Sequence, residues 1–262
     1  MNISFIGFGH MAKAIAQGLV ASGTHHLNAA APSLTIGVNQ LGVNTHYDNL
    51  AVIAGADIII LAVKPKQMSA VFTQIMPALP AQCLIISIAA GISLPWFANH
   101  AQPLAIVRAM PNIAAAVNKS ATALIANEFV SKQQQQWAEQ IFSAIGLTTW
   151  VMQEKDIDAL TALSGSGPAY LFLFMEAMIK GAMDLGLTEE IATSFTLQTC
   201  DGALSLAGKS ELTLAQLRQN VTSPAGTTAA AIDVFSNQGL NELVIAAMNA
   251  AFMRAQQLGA LL

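Results

Sequence analysis

The chain has 262 residues, enough for one large domain or two modest ones. Apolar residues make up 54% and charged residues 10%, far below the roughly 25% usual in soluble domains, and the net charge is −4 with no basic run. That balance argues against nucleic acid as a partner and leaves two accounts of the missing charge: a membrane, or surface buried against another copy of the chain.

The elements, taken in order, separate these accounts. Ile3 to Ile6 reads as a strand ending at Gly7, and Met11 to Ala21 as a helix closed by Gly23. The start runs straight into this glycine turn and lacks the basic region and long apolar core of a signal peptide, so a cytoplasmic location is expected. Leu27 to Ala31 forms a second strand cut by Pro32. Asp57 to Val63, Cys83 to Ile88 and Ala105 to Arg108 are further apolar runs without alternation, as suits strands covered on both faces. Their alternation with helical stretches predicts an α/β fold with a doubly wound, mostly parallel sheet over residues 1–153.

Beyond that point the pattern becomes helical. Lys155 to Leu163, Gly167 to Leu185, Glu189 to Ala207, Thr213 to Asn220, Ala225 to Ser236 and Asn241 to Leu258 are separated by Gly, Ser and Pro punctuation. The most apolar of them, Tyr170 to Met183, carries Glu176 and Lys180, which argues against a membrane span. These helices are apolar almost all round and need burial on more than one face. A helical domain over 154–262 this small predicts an intertwined homodimer. Cys83 and Cys200 stand apart in apolar surroundings and read as small core residues, and no cluster suggests a metal.

Gly7-Phe8-Gly9-His10-Met11-Ala12 links the first strand to its helix in the Gly-x-Gly-x-x-Ala form of a dinucleotide fingerprint. Gly7 permits the turn, Gly9 lets backbone approach a pyrophosphate at the helix N-terminus, and a small residue at 12 lets helix and strand pack. No Asp or Glu occurs before Asp48, so no carboxylate waits for a ribose 2′-hydroxyl, and Ser33 can donate to a 2′-phosphate. The expected cofactor is NADPH, with NADH as the alternative. Ala62-Val63-Lys64-Pro65 and Ile88-Ala89-Ala90-Gly91 follow later strands, where small residues leave room for a nicotinamide.

Two hydroxyl-rich segments open helices in the second half. In Thr161 to Tyr170, Pro168 suits a first turn and Ser166 an N-cap. In Asn220 to Thr228, free amides and threonine hydroxyls make a carboxylate cradle. All histidines (His10, His25, His26, His46, His100) lie in the first 100 residues. A ketone reductase needs a positioned acid for its alkoxide, whereas a protonated cyclic imine accepts hydride without one. A histidine-free pocket therefore favours imine chemistry.

In this order, the glycine turn, Ala62 to Pro65, Ser87 to Gly91, Arg108-Ala109-Met110-Pro111-Asn112, Leu163 to Tyr170 and Asn220 to Thr228 resemble the pyrroline-5-carboxylate reductases over nearly the whole chain. The resemblance implies reduction of Δ1-pyrroline-5-carboxylate to L-proline, the last step of proline biosynthesis. It also implies a dimer through the helical domain, assembled in many members into a decamer. By resemblance, Ile6, Gly7, Phe8, Gly9, His10 and Met11 border the pyrophosphate. Ser33 and Asn49 border the adenosine phosphate and ribose, and Ala62, Val63, Lys64, Pro65, Ala89 and Ala90 the nicotinamide side. Thr161 and Ser166 stand at the reacting imine, Thr161 as proton donor. Val221, Gly226, Thr227 and Thr228 grip the substrate carboxylate. The chain departs from the family at Ile113-Ala114, where Thr-Pro is usual, at Ala225, where glycine is usual, and in the short stretch after the second strand. Two rival readings are a 3-hydroxy acid dehydrogenase, whose catalytic lysine position holds Leu171 here, and a nucleotide sensor that has lost catalysis.

Overall fold

The first half forms strands where apolar runs can be covered on both faces. In chain order these elements are β1 (Asn2–Ile6), α1 (His10–Ser22), β2 (His26–Ala30), β3 (Gly37–Val38), β4 (Asn44–His46), α2 (Asn49–Ile53), β5 (Ile58–Leu61), α3 (Pro65–Ile75), β6 (Leu84–Ser87), α4 (Leu94–Ala98), β7 (Ile106–Met110), β8 (Ser120–Ala126), α5 (Lys132–Ser143) and β9 (Gly146–Trp150). They come from a computed structural model that describes residues 1–23, 25–99 and 103–260; His100 lies outside the described residues.

The strands make one nine-stranded sheet in the order β3-β4-β2-β1-β5-β6-β7-β8-β9. Pairing is parallel except at β3–β4 and β7–β8. Every residue of β5 and β6 is buried, as expected for strands sandwiched between helical layers. One core joins β1, β5 and β6 to α1 and α5 through Phe5, Ile15, Ile60, Ile86 and Phe142. The other packs Ile59, Ile85 and Leu61 against Phe72 and Phe97 on the opposite face. β1 lies between β2 and β5, so the chain order reverses there and opens a crevice beyond the strands' carboxyl ends.

Two parts of the sheet, the antiparallel pair β3–β4 and the edge β8–β9, were not anticipated, whereas the short stretch after the second strand was. No helix joins β2 to β4; a tight turn closed by Leu34 N donating to Ala31 O (2.9 Å) leads into the antiparallel pair β3–β4. The strands β8 and β9 extend the far edge. β8 is rich in Ser, Thr and Ala, and its Ser120 and Thr122 hydroxyls bond each other (3.1 Å) in the interior, which hides the strand from a hydrophobicity reading. Gly146 opens β9 against it, where a Cβ would lie 2.1 Å from Ser120 O.

The helical half comprises α6 (Glu154–Leu160), α7 (Gly167–Asp184), α8 (Glu189–Lys209), α9 (Leu214–Asn220), α10 (Thr227–Asn237) and α11 (Leu240–Ala260). Between α6 and α7, Thr161–Gly165 is a π-helical turn. Ser166 N donates to Thr161 O (2.8 Å), and Ser166 itself keeps helical dihedrals. The N-cap role expected of Ser166 is therefore corrected: the chain winds on through it, with one residue too many for α-helical bonding. The run Glu154–Asp184 is, by length and composition, the one described helix long and apolar enough to cross a membrane.

By packing, the chain divides into two units, Met1–Pro168 with the segment from Ala250 onward, and Ala169–Asn249. The division falls inside the helical half, later than the change of pattern at 153. α6 and the π-turn pack on β8 and its neighbours through Ile157, Leu160 and Ala123, so they belong to the sheet unit. In the second unit large apolar side chains stay exposed, among them Leu173, Phe195, Leu204 and Leu243, while Ala192 and Thr196 are buried.

Candidate active site

The glycine turn sits at the point where strand order reverses. Gly7 has φ +87°, a region that penalises any Cβ, and a Cβ there would lie 2.7 Å from Ala62 O. Its N–H donates to Ala30 O (2.8 Å), and Ala62 N donates to Ile6 O (2.8 Å), so the ends of β2, β1 and β5 are bound edge to edge at the turn. Gly9 is the N-cap of α1, without a side-chain cap and with no acidic residue in the first turn of the helix. A Cβ built on Gly9 meets nothing within 4 Å. Open space thus lies over unbonded helix amides, the arrangement that binds a pyrophosphate. These residues fit a dinucleotide. Ile6 and Phe8 are buried, Phe8 against Phe5 edge to face (5.7 Å), so they can offer it only backbone. His10 is exposed and Met11 half-buried at the helix start.

Ser33 is exposed in the turn after β2, and no carboxylate shares that turn. Asn49 opens α2, where its amide donates to Gln74 Oε1 (2.8 Å), fixing the side chain in one orientation. Asp48, the first acidic residue of the chain, is engaged as the N-cap of α2 through Leu50 N (3.1 Å).

Ala62 and Val63 follow β5, half-buried, with exposed Lys64 as N-cap and Pro65 as first residue of α3. Ala89 and Ala90 follow β6; Ala89 is buried and its N–H donates to Ser87 Oγ (3.4 Å). Ile88 N bonds Leu61 O (3.1 Å), which brings these two strand ends together beside Gly7. Every residue expected at the cofactor is thus carried by the carboxyl ends of β1, β2, β5 and β6 or by the helix starts that follow β1, β4 and β5.

Thr161 lies in the π-turn with its hydroxyl donating to Ile157 O (2.7 Å). Its proton is committed to the helix, and its oxygen lone pairs remain available to accept. Ser164 Oγ likewise donates to Leu160 O (2.8 Å). The turn is bound to the end of β7, where Asn112 Nδ2 donates to Ser164 O (2.9 Å). Nearby, Arg108 reaches from β7 to Glu154 and, at 3.6 Å, to Asp158, both on α6. Glu154 also accepts from Leu94 N (2.6 Å) at the start of α4. Burial pushes the Asp158 carboxyl above the usual carboxylate range; Arg108 pulls it back and Glu154 pushes it further up. Sequence reasoning gave these residues no role, although a lone arginine in an apolar strand was a visible signal.

In the second unit, α10 begins at Thr227 with Gly226 as N-cap and no side-chain cap. Its first ladder bond runs from Ala230 N to Gly226 O (3.1 Å), so the amides of Thr227 and Thr228 precede the ladder. Val221 is exposed and Thr228 half-buried. Ala225 has φ +59°, the left-handed region, which explains why glycine suits this position better. Among the described residues no group of three or more His, Cys, Asp or Glu could hold a metal ion.

Along its length the chain is similar to proteins of one family. A family model described as "Pyrroline-5-carboxylate reductase dimerisation" matches residues 154–258, and one described as "NADP oxidoreductase coenzyme F420-dependent" matches 2–91. The pyrroline-5-carboxylate reductase of Pseudomonas aeruginosa is 43% identical over 98% of this chain and 96% of its own length. A pyrroline-5-carboxylate reductase structure from Coxiella burnetii superposes with a TM-score of 0.90 at 42% identity, covering 98% of both chains. The Plasmodium falciparum pyrroline carboxylate reductase, solved with NADP bound, does so at 0.89 and 30% identity, covering 99% of this chain and 98% of its own. With likeness of this degree along its whole length, the chain belongs to the pyrroline-5-carboxylate reductase family.

Proposed function

We propose that the chain reduces Δ1-pyrroline-5-carboxylate to L-proline with NADPH, NADH serving as the alternative reductant. The observation that carries this reading is the open space over Gly9 at the glycine turn, in a chain that belongs to this family. The turn from Gly7 to Met11 would hold the pyrophosphate, Ser33 and Asn49 the adenosine end, and Ala62 to Pro65 with Ala89 and Ala90 the nicotinamide end. The absence of a carboxylate in the turn after β2 supports NADPH over NADH. When bound, the reduced cofactor supplies the hydride.

The chain's own contribution is positioning and charge matching. The α10 amides at Thr227 and Thr228, with the Thr228 hydroxyl and the backbone around Val221 and Gly226, bind the substrate carboxylate. Thr161 accepts a hydrogen bond from the protonated ring nitrogen; its own proton, held by Ile157 O, supports an acceptor role rather than the donor role expected. The imine carbon takes the hydride, the nitrogen keeps the proton it carried, and the resulting amine gains its second proton from solvent. Ser166 completes the polar wall beside Thr161.

The exposed apolar helices support a homodimer formed by the helical region, which repeats into a larger ring such as a decamer in the assembled enzyme. Cover by a second copy, together with Glu176 and Lys180 inside the apolar run, favours a cytoplasmic protein without membrane or nucleic-acid partners.

The test follows NADPH oxidation with pyrroline-5-carboxylate. Turnover is expected, with Thr228→Ala raising the substrate KM by about tenfold and leaving NADPH binding unchanged. Tight NADPH binding without turnover would point to the sensor reading, and an unchanged KM for Thr228→Ala would remove the carboxylate assignment.

A further inference from the structure

Strand β7 sends alternate side chains to opposite faces of the sheet. Val107 and Ala109 enter the core shared with β1 and α1. Arg108 and Met110 face the other way, and Asn112, two residues on, continues their row. All three meet the segment that carries Thr161. Arg108 holds Glu154 and Asp158 on α6. Met110 packs against the cluster of Ala123, Ile125 and Ile157, and its Cε would lie 3.3 Å from a Cβ at Gly165. Asn112 Nδ2 donates to Ser164 O.

The last contact answers a deficit created by the sequence. In an α-helix the carbonyl of Ser164 would accept from residue 168, but Pro168 has no N–H. The π-turn shifts the neighbouring bonding by one residue, as Ser166 N to Thr161 O shows. Asn112 supplies a donor from outside the helix. Asn112 is itself 8% exposed and fixed on three sides: its Oδ1 accepts from Ala114 N (3.1 Å), its N–H donates to Ser120 Oγ (3.1 Å), and its amide reaches Ser164. A carboxamide held this way is a rigid strut between the sheet and the turn.

We propose that Asn112 is a positioning residue for the reduction: by supplying the donor that Pro168 lacks, it fixes the π-turn and so the place of the Thr161 hydroxyl. The proposal rests on the reading that Thr161 meets the reacting imine. Small displacements of such a group lower kcat far more than they lower binding, because geometry is needed most in the transition state. The hydrogen bonds of Asn112 go to Ala114, Ser120 and Ser164 and not to the glycine turn, so cofactor affinity and substrate KM are expected to be spared.

The test is Asn112→Asp, which keeps the oxygen that caps Ala114 and turns the donor facing Ser164 O into an acceptor. Asn112→Ser, which can cap Ala114 but is too short to reach Ser164, serves if the aspartate variant does not fold. Either is expected to lower kcat by about tenfold or more, with the substrate KM and the NADPH dissociation constant within about twofold of the parent. In a Thr161→Ala background the same substitution should cost almost nothing further, since both act through one hydroxyl. An unchanged kcat, a parallel loss of NADPH affinity, or full additivity with Thr161→Ala would each overturn the proposal. If Thr161→Ala alone keeps the parent kcat, the reading of Thr161 fails; a kcat loss from Asn112→Asp in that background would then mean that Asn112 acts through a different group, which also overturns the role assigned here.

Discussion

The sheet unit and the helical unit are built from equally apolar sequence, yet they bury it differently. In the sheet unit Ile3, Phe5, Ile60, Phe72 and Phe142 are fully buried within the chain. In the helical unit Phe195 is 70% exposed and Leu173 68%, on helices with no described layer to cover them. Each unbonded apolar side chain of that size forgoes roughly 1.5–3 kcal/mol that burial would contribute. One unit satisfies itself; the other is organised for an occupant of its exposed faces, which the proposed dimer provides. The glycine turn lies on the first and the proposed carboxylate cradle on the second.

The largest expected effect would break the self-sufficient unit from inside. The Arg108 side chain is 5% exposed and faces two carboxylates. Arg108→Met removes the cation and leaves the half-buried Glu154 and Asp158 facing each other, a loss of up to about 3 kcal/mol in unfolding free energy measured by denaturant titration. A loss under about 1 kcal/mol would mean that the cluster is solvated and that α6 does not depend on it.

Next comes a substitution aimed at the other unit alone. Phe195→Asp places a charge on the exposed apolar surface and is expected to shift the protein toward smaller species in sedimentation, while NADPH affinity stays within about twofold. An unchanged assembly would show that this part of the helical surface is not where the second copy sits. The smallest effect concerns strain. Ala225 pays for a left-handed backbone that glycine adopts freely, so Ala225→Gly is expected to stabilise by up to about 1 kcal/mol, offset in part by a more flexible unfolded chain. A lower melting temperature for that variant would mean that the methyl group makes contacts outweighing the strain.

Much of the fold was legible along the chain. β1, β2, β5, β6 and β7 are short runs of apolar residues bounded by turn signals, and α1 and α7 to α11 lie within a few residues of the helices read from Gly, Ser and Pro punctuation. β8 was not legible, because Ser120 and Thr122 look like loop residues until their hydroxyls bond each other and Asn112 N. The glycine turn was legible because Gly7 is needed for two local reasons, its dihedral and its approach to Ala62. The roles of Arg108, Glu154, Asp158 and Asn112 were not, since each depends on a partner 46 to 60 residues away.

What the sequence determined by itself is whatever depends on neighbours along the chain: strand and helix periodicity, glycine dihedrals, the missing N–H of Pro168 and the missing charge that calls for a second copy. Only the tertiary structure decided which donor answers Ser164 O, that Ser166 continues a π-turn instead of capping a helix, and that α6 belongs with the sheet. The physical reason is that a local rule states what a group requires, whereas packing decides which distant residue satisfies it.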